Sequence, residues 1–124
     1  MQLGIKGKTE MNLAGMTFRA VANSENGSLN TETEMHFDTD DGIVTGGYSG
    51  GTISTGHVLA KHLGDSELEM LYQGVTIGGK IQAGRAKATF SQSDDNKMHM
   101  YLDWQWLTED RTKGHSEWIH VNEK

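Results

Sequence analysis

The chain has 124 residues, with 17 acidic side chains against 11 basic ones, a formal net charge of −6, and neither cysteine nor proline. That length suits one domain around a single core. The absence of cysteine excludes disulfides, thiolate metal centres and thiol nucleophiles. The acidic balance, with arginine only at Arg19, Arg85 and Arg111, leaves no basic stripe for nucleic acid or anionic lipid.

Residues 1–10 read as an N-terminal extension without the apolar stretch of an export signal, and residues 11–124 as the domain. No window is apolar enough to cross a bilayer as a helix, so a soluble, cytoplasmic protein is expected. A short helix fits only Met11 to Met16; no later segment has helical apolar periodicity.

Turn signals then recur at close intervals: Asn23–Ser28, Thr39–Gly42, Ser49–Gly51, Gly64–Ser66, Gly78–Gly79, Ser93–Asn96 and Glu109–Gly114. They separate about eight runs of strand length. In Asn30–Asp38 the set Thr31, Thr33, Met35, Phe37 alternates with polar partners. In Glu67–Gln73 the apolar set is Leu68, Met70 and Tyr72, and in Met98–Trp106 it is Met98, Met100, Leu102, Trp104 and Trp106. Period-two alternation places one face inside and the other in water. Ile43–Ser49, Ile53–Lys61 and Gly114–Val121 carry apolar residues on both faces. With Leu71, Val75 and Tyr101 facing outward, they suggest a covered wall and a homodimer.

Short hairpins in series describe an all-β, antiparallel up-and-down barrel of about eight strands, of the general lipocalin or avidin type. A two-sheet β-sandwich is the alternative. The glycines at Gly42, Gly46, Gly47, Gly50, Gly51 and Gly56 suit the sharp bends of a closing barrel.

Several segments also resemble a known family. Met16–Phe37 ("MTFRAVANSENGSLNTETEMHF"), Tyr48–Lys61 ("YSGGTISTGHVLAK"), "YQG" at Tyr72 and "DWQW" with "GHSEW" are similar to small single-domain bacterial proteins commonly labelled N-acetylglutamate synthase. The label implies acetyl transfer from acetyl-CoA but carries no catalytic residue onto this chain. The chain departs from that family at Gly74, where relatives tend to have histidine, and at Ala86, where cysteine is frequent. The residues themselves hold no turn for acetyl-CoA: "QGVTIGG" has Thr76 where the first glycine should fall, and no amphipathic helix follows to receive a pyrophosphate.

Trp104 and Trp106, two residues apart on one strand face, are the main candidate for a site. With Tyr72 and Tyr48 as hydroxyl donors, and Phe18 and Thr33 completing the wall, they read as an aromatic pocket for a small molecule, or as a packed plug. Arg85 is the fork. A two-residue Gly78-Gly79 loop pairs Tyr72 with Arg85 and turns the guanidinium inward, toward an anionic ligand; one bulge reverses this. Arg19, opposite in parity to Phe18, faces out.

The alternative function is acid–base catalysis in the same cavity, with Arg85, His57 and Asp103 as candidates. A protein-interaction module using Leu71, Val75 and Tyr101 is a third reading. The six histidines include no pair at i, i+2, so neither a metal nor a cofactor is expected. "GYSGG" (Gly47–Gly51) fits the spacing of a nucleophile elbow, but a strand follows where the elbow needs a helix.

Overall fold

A computed structural model describes residues 12–23, 31–92, 97–108 and 111–121. Eight strands follow in chain order: β1 (Thr17–Asn23), β2 (Glu34–Asp40), β3 (Ile43–Gly50), β4 (Ile53–Gly64), β5 (Glu67–Thr76), β6 (Ile81–Gln92), β7 (Met98–Trp106) and β8 (Lys113–Val121). Each pairs antiparallel with its neighbours, and β1 pairs with β8, closing the barrel. Closure leaves no unpaired sheet edge, the solution expected for a meander of this many strands. Among the described residues there is no helix, and Asn12–Met16 forms a turn. The extension at residues 1–10 and the turn signals at Ser93–Asn96 and most of Asn23–Ser28 lie outside the described residues.

The hairpins follow local chemistry. Asp41 and Gly42, with φ of 55° and 85°, form the two-residue connection between paired Asp40 and Ile43. Both positions have the positive φ of a type I′ turn, which Asp-Gly favours.

Alternation puts Leu68 and Met70, Ala86 and Ala88, and Leu102, Trp104 and Trp106 in the interior, as the sequence pattern requires. Cross-strand rows interleave large and small inward residues. One runs Val44, Ala60, Met70, Ala86, Trp104, Gly114, and the next Gly46, Val58, Tyr72, Gly84, Trp106. A narrow barrel has no room for a ring on every strand, so glycine and alanine take the positions that rings cross.

One end of the barrel is plugged. Leu13 is fully buried there, held by the turn in which the Met16 N–H bonds the Leu13 carbonyl at 3.0 Å and the Phe37 N–H bonds the Met16 carbonyl at 2.8 Å. Phe18 meets Phe37 and Phe90 edge-on, with ring centroids 5.8 and 5.7 Å apart. Trp118 is also fully buried, and its Nε1–H donates to Ser116 Oγ at 2.9 Å.

Candidate functional site

The opposite half of the barrel, on the side of the β3–β4 and β5–β6 turns, gathers four inward aromatic rings. Tyr48 meets Tyr72 edge-on at 6.0 Å, Tyr72 meets Trp106 at 5.9 Å, and Trp106 meets Trp104 at 5.9 Å. Glycines set this arrangement. A Cβ on Gly56 would lie 2.4 Å from the Tyr48 ring, one on Gly74 2.8 Å from the Tyr48 hydroxyl, and one on Gly84 2.5 Å from the Tyr72 hydroxyl. Each tyrosine therefore lies across bare backbone of the adjoining strands.

Tyr48, Trp104 and Trp106 are buried, while Tyr72 is half-buried. Neither tyrosine hydroxyl has a hydrogen-bond partner among the described residues. The Trp104 Nε1–H is buried without a partner among them as well. An unsatisfied buried donor costs about 1–3 kcal/mol, so this end carries polar capacity that the described residues leave unused. Burial pushes the Tyr48 phenol up to about 12. It raises Tyr72 too, with the proximity of Tyr48 adding to the effect. Both phenols are thus protonated donors at neutral pH.

Of the two further expected members of the wall, Phe18 lies away from these rings and Thr33 lies near them. Phe18 sits in the plugged end, since parity fixes the face of a strand but not the level along the axis. Thr33 is fully buried near the aromatic end, where its Oγ1–H donates to the Gly50 carbonyl at 3.0 Å. That bond ties the segment before β2 to the β3–β4 turn.

Arg85 faces outward, contrary to the inward placement that a two-residue Gly78-Gly79 loop would give. Val75 pairs with Ile81, so Tyr72 falls opposite Gly84, and Arg85 opposite Leu71. The cause is the turn: Gly79 takes φ 89°, and the Thr76 N–H bonds the Lys80 carbonyl at 2.9 Å. This adds a residue to the connection and slips the register by one. The expected anion partner inside the barrel is therefore not Arg85.

The other proton-transfer candidates are also outside. His57 and Asp103 are exposed, so the sheet separates them from Tyr72 and Trp106. Arg19 faces out as expected and pairs with Glu34 at 3.1 Å. Among the described residues no cluster of histidine and carboxylate side chains could hold a metal ion.

Sequence reading missed the glycines beneath the tyrosines. Gly56, Gly74 and Gly84 share the parity of inward residues, a signal that could have marked them as ring seats.

The outer wall has its own relief. An open concavity of about 1150 Å³ crosses β4 to β8, lined by residues including Leu59, Leu63, Leu71, Arg85 and Lys113. Leu71 and Tyr101 stand outward as expected, 53% and 41% exposed.

A closed up-and-down barrel of eight antiparallel strands defines a class of small all-β protein. Within it, the chain belongs to the Avidin-like protein family, whose match spans residues 11–121. The family binds small ligands. No curated protein and no solved structure matches the chain.

Proposed function

We propose that the chain binds a small, partly apolar and uncharged molecule at the aromatic end of the barrel. One observation carries this reading: four rings converge there with two phenolic hydroxyls that no described residue engages. Rings supply apolar faces, and protonated phenols supply donors, so the matching ligand presents a flat apolar part and an acceptor such as a carbonyl oxygen. No described inward residue at this end carries a formal charge; an anionic group would lie buried without a counter-ion, at high cost. The family's use of the barrel for small ligands supports the same reading.

Binding is favoured over acid–base catalysis because His57, Asp103 and Arg85 stand on the outer wall, away from the rings.

The test is tryptophan fluorescence during titration with neutral, carbonyl-bearing heterocycles. A binder should shift the emission in the native chain, and Tyr72→Phe should weaken it about five- to tenfold through the lost donor. If the fluorescence responds to none of the panel, or binders are unaffected by both Tyr72→Phe and Trp106→Phe, the reading fails.

A further inference from the structure

Two buried indoles differ in what their N–H groups meet. Trp118 is fully buried, and its Nε1–H donates to Ser116 Oγ at 2.9 Å. Trp104 is 5% exposed, and its Nε1–H is buried with no hydrogen-bond partner among the described residues. The level on which each ring lies accounts for the contrast. Around Trp104 the inward cross-strand partners are Val44, Ala60, Met70, Ala86 and Gly114, and none of these carries a side-chain oxygen or nitrogen. The chain thus sets a donor deep in the barrel and no side-chain acceptor beside it.

Water suits this place poorly. A buried water is held by about two to four polar partners, and the side chains of this level offer one. A carbonyl oxygen is satisfied by a single donor, and the carbon frame behind it matches the methyl and thioether groups of Val44, Ala60 and Met70. A ligand N–H or O–H at this level would meet no side-chain acceptor, so donors are selected against here.

Tyr72 and Trp106 lie two residues nearer the β5–β6 turn than Met70 and Trp104, which is about 6.7 Å along the strands. Donors therefore stand on two levels: the Tyr72 phenol on the outer one and the Trp104 indole on the inner one. We infer that Trp104 is the deep donor of the aromatic site, and that its ligand is a neutral planar ring with a carbonyl on each of two opposite edges. This rests on the binding reading above and narrows it from one acceptor to two. The inner carbonyl takes the Trp104 Nε1–H, the ring packs against the indoles, and the outer carbonyl takes the Tyr72 hydroxyl.

The experiment compares three neutral probes on one frame: para-diacetylbenzene with two carbonyls, acetophenone with one, and ethylbenzene with none. Calorimetry on the full chain measures affinity, and the indole N–H resonances, assigned from single tryptophan-to-phenylalanine variants, report each ring. Para-diacetylbenzene should bind about tenfold more tightly than acetophenone and move the Trp104 N–H downfield, while ethylbenzene leaves that resonance in place. Trp104→Phe keeps a ring and removes the donor, so it should bring para-diacetylbenzene to within about twofold of acetophenone. The shift in the native chain needs no variant and holds the test open should Trp104→Phe fail to fold. Equal affinity for the first two probes with the Trp104 N–H unmoved would overturn the inference, and acetophenone still binding above ethylbenzene would leave the broader reading standing. An N–H of Trp104 that shows cross-relaxation with water in the native chain and keeps it under para-diacetylbenzene would also overturn it. So would none of the three probes binding, with the heterocycle panel then deciding the broader reading separately.

Discussion

Tyr48 lies flat across Gly56, its pairing partner on the next strand, so closely that a single added carbon would sit 2.4 Å from the ring. The two residues act as one unit: the glycine is the seat, and the ring is the wall of the aromatic end. Gly56→Ala forces the ring out of place or the strands apart. Overpacking of this kind costs about 1–3 kcal/mol. Thermal unfolding should show that loss. The tyrosine and tryptophan signals in near-ultraviolet dichroism should change with it, because the displaced ring leans on Tyr72.

High pH should destabilise the barrel through its buried phenols. The Tyr48 phenol rises from 10.0 to about 12 in the folded chain, and Tyr72 shifts the same way. Below pH 10 both folded and unfolded chains keep these protons, and no stability is lost. Between pH 10 and 12 the unfolded chain gives up the Tyr48 proton while the folded chain holds it, so stability falls as pH rises. Two pH units at about 1.4 kcal/mol each set a scale of roughly 2–3 kcal/mol. Denaturant titrations at pH 8 and pH 11 should show the drop in the native chain and a smaller one in Tyr48→Phe.

Trp118 closes the plugged end and bonds Ser116 through its indole N–H. Trp118→Ala removes the largest fully buried side chain and should cost about 3–5 kcal/mol. Ser116→Ala leaves the N–H of Trp118 without that acceptor and should cost about 1–3 kcal/mol. Chemical denaturation of both variants separates the packing loss from the hydrogen-bond loss.

Thr33→Val tests the tie between the segment before β2 and the β3–β4 turn. The shape is kept, but the Gly50 carbonyl loses its donor, at a cost of about 1–2 kcal/mol. By contrast His57→Ala, on the outer wall, should change stability by no more than about 0.5 kcal/mol. It should leave binding at the aromatic end unaltered, as calorimetry with any ligand of that end would show.

How far these features could be read from the residues depended on what sets each one. Strand faces were legible, because a period of two acts locally: Leu68, Met70, Met100, Leu102 and Trp104 all point where alternation sends them. Closure into an up-and-down barrel followed from short turns at regular spacing. Position along the barrel axis was not legible, because it depends on strand tilt, and Phe18 went to the plugged end instead of joining Tyr48. Arg85 was decided by the backbone of one glycine. Gly79 at φ 89° adds one residue to the hairpin, and a one-residue slip exchanges inside for outside. The two tryptophans were correctly placed inward, but their role depends on the tyrosines two and four strands away, whose seats are glycines that look like turn punctuation.

The pairing of β1 with β8 sets Thr17 directly opposite Val121. Since strand order around the barrel repeats strand order along the chain, the ring has no privileged first staple, and the polypeptide could be rewired as a circular permutant. Joining the segments beyond Val121 and before Thr17 with a short linker, and cutting between Gly78 and Gly79, would preserve every ladder while moving the new termini beside the aromatic mouth. A reporter group attached there would report on that end of the barrel.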